Sequence, residues 1–210
     1  MFLAEYQSKE LLAQYGVLAP DGRPARSPDE AQRLCKEIDA RKYVVKAQIG
    51  AGGRGLAGGI RFAATPSAVA DEARRLLGST LVTDQTGPAG ETVTIVQVEA
   101  AIDIAQSCFV AIAFAPETGQ PMLLASSAGG VEFEQRARMD EDTAQNCPLS
   151  PDSPEARAEI ASFLTGVGII ETQSAAIDAI FAARHAFTEN DMTLIEINPF
   201  ARTSDGRWMA

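Results

Sequence analysis

The chain is 210 residues long, enough to bury a sizeable core in one domain or two lobes without disulfide staples. Its 18 Lys+Arg against 28 Asp+Glu leave a formal net charge of −10, which excludes a nucleic-acid partner held by its phosphate backbone, so any basic site must be local. No apolar run approaches the ~20 residues that span a bilayer, and the start Met1-Phe2-Leu3-Ala4-Glu5 lacks the cationic opening of a signal peptide. With Cys35, Cys108 and Cys147 odd in number and far apart, the expectation is a cytoplasmic protein with reduced thiols and no membrane partner.

In chain order, Glu5 to Tyr15 reads as a short helix with Tyr6, Leu11, Leu12 and Tyr15 as its apolar stripe and Gly16 as its stop. Ser27-Pro28-Asp29-Glu30 combines a capping serine, a proline at the first helical position and a glutamate three residues on, predicting a helix to about Ile38. Tyr43 to Ala47 predicts a strand, Gly50 to Gly59 a mobile glycine-dense loop, and Ile60-Arg61-Phe62 a returning strand. Lys46 on the first strand and Arg54 within the loop stand beside backbone that can approach an oxyanion closely, the pattern of a polyphosphate clamp. Thr65-Pro66-Ser67 opens a helix to about Leu77 with Val69, Ala73, Leu76 and Leu77 inward.

The stretch from Thr83 to Gly90 turns to Thr, Gln, Gly and Pro, a surface connection, before Thr92 to Val98 resumes strand alternation and a lobe boundary falls near Glu99. Cys108 to Phe114 and Met122 to Ala125 flank Pro116-Glu117-Thr118-Gly119 as a hairpin, and Ser126 to Gly130 forms a small-residue turn. Ser153-Pro154-Glu155 caps a helix to about Thr165, a second helix runs from Thr172 to Phe187, and Met192 to Ile197 is the closing strand. That strand presents Glu196 and Asn198 on one face, hard oxygen donors suited to magnesium. The layout is α+β. Alone, a glycine loop is more often a tight turn, and a Glu and an Asn on a closing strand are more often solvated. The lysine ahead of the loop and the oxygen pair near the other end together point to a metal–polyphosphate site. His185, the sole histidine, lies in a helical segment and reads as an ordinary helix residue.

Six motifs fall in one order: Glu5-Tyr6-Gln7-Ser8-Lys9, Val45-Lys46-Ala47-Gln48, Ala51-Gly52-Gly53-Arg54-Gly55, Val98-Glu99-Ala100, Gly129-Gly130-Val131-Glu132 and Leu194-Ile195-Glu196-Ile197-Asn198-Pro199. In this the chain resembles the nucleotide-binding beta subunit of succinyl-CoA synthetase over its whole length. The resemblance implies an ATP-grasp fold: a small lobe at about 18–98 and a larger lobe at about 99–210 that includes the helix at 4–16, with a nucleotide cleft between them. It implies that Lys46 contacts phosphates of ATP or GTP and that Gly53, Arg54 and Gly55 form a lid. It further implies that Glu99 lies at the base hinge with the backbone from Ala100 to Ile102, that Ser107 stands where the ribose is taken, and that Glu196 and Asn198 hold Mg2+. The implied activity is that of an ADP-forming acid–thiol ligase of the tricarboxylic acid cycle, with no catalytic nucleophile in this chain. The phosphohistidine belongs to a partner alpha subunit.

The chain departs from that family at five positions. Gly50 and Leu56 stand where the family has a histidine and a lysine, Ile102 replaces a threonine, and Ser107 and Ala128 replace acidic residues. Loss of two charge-assisted bonds at ~1.5 kcal/mol each lowers nucleotide affinity roughly a hundredfold. The family continues into a C-terminal CoA-ligase domain and a further metal-binding aspartate, so an excised piece of a longer subunit is expected, inactive alone. The competing expectation is a degenerate, non-catalytic module with an assembly or regulatory role. A carboxylate–amine ligase on the same fold lacks its acceptor pocket here.

Overall fold

The computed structural model describes residues 2–139 and 144–210. The chain divides into two units, Met1–Glu10 with Pro20–Ile102, and Leu11–Ala19 with Asp103–Ala210. Helix α1 (Glu5–Gln14) is shared out by that division, its first turns grouping with unit 1 and its last with unit 2, whereas the resemblance implies that it belongs whole to the larger lobe. Of its expected stripe only Leu12 is fully buried.

Unit 1 continues with β1 (Gly22–Ala25), α2 (Pro28–Leu34), β2 (Tyr43–Gln48), β3 (Ile60–Ala63), α3 (Pro66–Leu76), β4 (Thr80–Leu81), β5 (Glu91–Thr92) and β6 (Ile95–Ala100). Among the described residues its main sheet has the order β1-β6-β2-β3, antiparallel throughout. Across β2 and β6, Val45 faces Val98 and Ala47 faces Val96, and all four are fully buried. They form one core with Ala31 and Cys35 of the α2 end and Val69, Ala73 and Leu76 of α3. Because side chains alternate along a strand, that register sends Lys46, Gln97 and Glu99 to the opposite face. Both helices start as their sequences dictate: Ser27 Oγ accepts from Glu30 N–H at 3.2 Å, and Thr65 Oγ1 from Ala68 N–H at 3.2 Å. The α2 helix stops at Leu34, four residues short of the expected Ile38.

Unit 2 contains β7 (Ile104–Phe114), β8 (Pro121–Ser126), α4 (Val131–Arg138), β9 (Gln145–Pro148), α5 (Pro154–Val167), α6 (Gln173–Glu189), β10 (Leu194–Thr203) and β11 (Trp208–Met209). Its sheet has the order β11-β10-β7-β8-β9, again antiparallel. Ile160 and Leu164 of α5 and Ile180, Phe181 and Phe187 of α6 close over Val110, Ile112, Leu123, Ile195 and Ile197 of the sheet. β10 runs on through Thr203 with a register shift between Ile197 and Phe200, and Phe200 stacks on Trp208 at 4.7 Å between ring centroids. His185 sits on α6, 2.8 Å from Glu189 and edge-on to Tyr15.

Gly166 lies inside α5, and a methyl group built on it meets nothing within 4 Å. A helical glycine only adds freedom to the unfolded chain, so Gly166→Ala should stabilise by ~0.5–1 kcal/mol, read as a rise in the urea midpoint.

Candidate functional site

The expected clamp residues Lys46 and Arg54 come together in unit 1 with Glu99, which was expected at the base hinge, and with two residues that the sequence did not assign. The amine of Lys46 lies 3.0 Å from Glu5 Oε1 and 2.7 Å from Glu99 Oε1. Lys9 stands 3.1 Å from the same Glu5 oxygen and 2.5 Å from Glu99 Oε2. Arg54 completes the ring, with one guanidinium nitrogen 2.8 Å from Glu5 Oε2 and another donating to the Ala47 carbonyl at 2.9 Å. The Glu99 side chain is only 4% exposed and that of Lys9 11%. Burial by itself would raise the pKa of Glu5, but Lys46, Lys9 and Arg54 outweigh it and hold that carboxyl well below the usual glutamate range. Burial alone would lower Lys46, yet Glu5 and Glu99 overcome it and push the ammonium pKa up. The sequence signals for Glu5 and Lys9 were their place in the opening motif and their spacing of four on a predicted helix, which sets them one turn apart on one face.

The glycine loop is tied by hydrogen bonds near both of its ends. Gly50 N–H donates to both carboxylate oxygens of Glu91, at 3.0 and 2.9 Å, and Gly52 N–H to Gln85 Oε1 at 2.8 Å. Gly59 closes the far end, accepting from Ala47 N–H and donating to the Arg54 carbonyl, both at 2.8 Å. Gly53 turns the chain with φ +75°, a left-handed conformation that favours glycine. Among the described residues the amides of Arg54, Gly55 and Leu56 donate to no backbone carbonyl, so this short run of N–H groups is available to an anion. The ties of Arg54 change one expectation. A lid arginine contributes little to stability, but Arg54→Ala should cost unit 1 about 1–3 kcal/mol, because it removes the cation 2.8 Å from the buried Glu5 carboxylate and a donor to the Ala47 carbonyl. Urea unfolding of the variant checks this.

Glu99 stands at the end of β6, but its carboxylate is committed to Lys46 and Lys9. Just beyond it, Ala100 N–H donates to the Asp21 carbonyl at 2.8 Å and Ala101 N–H to that of Lys42 at 2.9 Å. Of the three expected hinge amides, those two are therefore spent, and Ile102 closes unit 1 only partly buried.

In unit 2, Ile195 and Ile197 point into the core while Glu196 and Asn198 lie on the other face of β10, Glu196 exposed and Asn198 half-buried. Asn198 Oδ1 accepts from Gly130 N–H at 2.5 Å, fixing the start of α4 against β10. Ser107, on the neighbouring β7, has its hydroxyl 3.8 Å from where a side chain on Gly130 would begin. Packing around the Glu196 carboxyl, followed by the Glu134 carboxylate of α4, raises the Glu196 pKa. Two carboxylates that disfavour each other's charge suit a cation, and an Mg2+ that keeps most of its waters needs only one or two protein oxygens. Among the described residues no group of three or more His, Cys, Asp or Glu is placed to hold a metal, so Glu196 and Asn198 fit such an ion only with water and ligand oxygens completing it. Ala128, which stands in place of a family acid, is buried with its N–H on Ser126 Oγ at 3.2 Å.

Two antiparallel sheets, each backed by helices in its own unit, define a two-unit α+β class of protein. The chain belongs to the ATP-grasp domain family, which it matches over residues 2–202. It is 37% identical over 211 residues to the ADP-forming succinate–CoA ligase subunit beta of Bacillus pumilus, covering 100% of this chain and 55% of that protein. It is 36% identical over 211 residues to the probable malate–CoA ligase subunit beta of Mesorhizobium japonicum, covering 100% of this chain and 54% of that protein. The chain thus spans about half the length of the curated relatives it matches. Among solved structures it is similar to the dinucleotide-forming acetyl-coenzyme A synthetase 1 of Ca. Korarchaeum cryptofilum in complex with coenzyme A, Ca-AMPCP and HgCl+. That match has a TM-score of 0.73 and 18% identity, covering 99% of this chain and 89% of that one. The ATP citrate lyase of Methanothrix soehngenii in complex with citrate and coenzyme A matches with a TM-score of 0.63 and 17% identity, covering 98% of this chain and 48% of that one. These likenesses extend the α+β ATP-grasp fold to the whole chain.

Proposed function

We propose that this chain is the nucleotide-binding part of a succinate–CoA ligase-like beta subunit, an ADP-forming acid–thiol ligase of the cytoplasm, which binds Mg-ATP or Mg-GTP and exchanges phosphoryl with a histidine of a partner alpha subunit. The observation that carries this reading is the convergence of Lys46, Lys9 and Arg54 on one carboxylate beside the open amides of the glycine loop. Lys46, Arg54 and the backbone of Gly53 to Gly55 take the phosphates, Ile102 with Glu99 faces the base, and Ser107 offers one hydroxyl to the ribose. Glu196 and Asn198 contribute oxygens to the magnesium ion, whose chemistry when bound is to neutralise charge on the phosphoryl oxygens. The chain's own groups position and neutralise, and the nucleophile comes from the partner.

The names and identities of the relatives support a ligase subunit, and the departures at Gly50, Leu56 and Ser107 favour weak binding. Titration calorimetry of the chain with Mg-ATP and Mg-GTP, repeated on Arg54→Ala, tests the reading. Saturable binding that Arg54→Ala weakens tenfold or more is expected. Absent or millimolar binding unaffected by the substitution instead favours the degenerate, non-catalytic module, for which the pairing of each of the three cations with Glu5 or Glu99 speaks. Appearance of base-stable, acid-labile phosphate on an alpha subunit mixed with the chain and labelled nucleotide tests the partner.

A further inference from the structure

Three cations converge on Glu5, and the two carboxylates of the cluster are held very differently. Glu99 belongs to β6, which is hydrogen-bonded to β1 on one side and β2 on the other, so it is a fixed counter-ion. Glu5 is the first residue of α1, where no preceding helical turn holds the backbone. Beyond the ion pairs, the ties of that turn include Ser8 N–H to the Ala4 carbonyl at 2.9 Å, Ala4 N–H to Gln7 Oε1 at 3.0 Å and Tyr6 N–H to Gln48 Oε1 at 3.3 Å, the last of these alone reaching another element. One oxygen of Glu5 is also poorly satisfied: Oε2 is buried and 2.8 Å from Arg54, yet accepts no hydrogen bond of good geometry. With Glu5 in place, three cations meet two anions. Without it three cations meet one, a surplus suited to a polyanion.

We propose that the Glu5 carboxylate is a built-in occupant of the anion site formed by Lys9, Lys46 and Arg54, and that a polyphosphate binds by expelling it, so that phosphate and the docked first turn of α1 exclude each other. Lys9 thereby becomes a third phosphate-binding cation. The inference rests on the nucleotide reading above and adds to it an internal competitor. A site that must first release an occupant binds with its affinity reduced by the fraction of time it stands open. Removing the competitor's charge therefore tightens binding, whereas removing a brace for the cations loosens it.

The test titrates inorganic triphosphate and Mg-ATP into the wild-type chain, Glu5→Gln and Glu5→Asp, and follows hydrogen exchange of residues 5–10 in the wild type with and without triphosphate. The expected result is at least tenfold tighter binding by Glu5→Gln, near-wild-type binding by Glu5→Asp, and faster exchange in residues 5–10 when triphosphate is added. Wild-type binding that Glu5→Gln leaves unchanged or weakens overturns the inference and spares the nucleotide reading. So does slower exchange in residues 5–10 on triphosphate addition, a readout that requires no variant to fold. Failure of every form, wild type included, to bind either ligand removes both.

Discussion

Lys46→Met should destabilise unit 1 by about 3–5 kcal/mol, the usual cost of removing one partner from a buried ion pair. Methionine fills most of the lysine's volume, so the loss is electrostatic: Glu5 and Glu99 keep their charges but lose their shared partner at 3.0 and 2.7 Å. Lys9 and Arg54 remain, which places the expected cost at the lower end of the range. The pH dependence has a definite sign. The Glu5 pKa is depressed in the folded state, so its contribution is fully present above the ordinary value of 4.5 and is lost as pH falls through the folded value. Lys46 has a raised pKa, so its contribution holds below the ordinary 10.5 and fades only in stronger alkali. The gap between wild type and Lys46→Met should therefore be constant from about pH 6 to 9 and close on acidification below the normal glutamate range. Urea unfolding across that series is the measurement. Equal stability of the two proteins at pH 7 would contradict a buried cluster.

Gly129→Ala should be as damaging to unit 2. A methyl group built on Gly129 would sit 2.4 Å from the carbonyl oxygen of Cys108 and 2.6 Å from its nitrogen. The obstacle is backbone of β7, hydrogen-bonded to β8 and β10, so no side-chain rotation relieves it. Overpacking of this kind costs about 3 kcal/mol. It should also shift Gly130 away from Asn198 Oδ1, so that amide should exchange faster with solvent. A urea midpoint within error of wild type, alongside the gain expected for Gly166→Ala, would mean that the turn and the strand approach less closely than described.

Much of the fold was legible because its local signals were strong. Ser27, Thr65 and Ser153, each followed by proline, start helices where expected. The β-branched runs at 43–48 and 95–100 are strands. Illegible elements were those whose cause lies elsewhere in the chain. α4 has no buried residue of its own in the core, and its docking depends on Asn198 and on a Phe109–Phe133 stack at 3.9 Å. β4, β5 and β9 are two to four residues long and exist through pairing. At the clamp, Lys46 and Arg54 were legible together, whereas Glu99 was expected at the base hinge and its pairing with Lys46 and Lys9 was not foreseen. Glu5 and Lys9 were visible only as part of a motif, since sequence spacing cannot reveal that a carboxylate 41 residues before Lys46 shares its amine. The ties of the glycine loop were illegible for the same reason: Gln85 and Glu91, which accept from Gly52 and Gly50, come more than 30 residues later.

Each unit has a complete apolar core of its own, one from Ala25 to Val98 and the other from Leu12 and Val17 with the residues from Cys108 to Trp208. Two self-sufficient cores make two cooperative melting blocks, so heating should give overlapping endotherms instead of one all-or-none transition. Phosphate captured by Lys46 should then raise the midpoint of the first block by mass action and leave the second where it was.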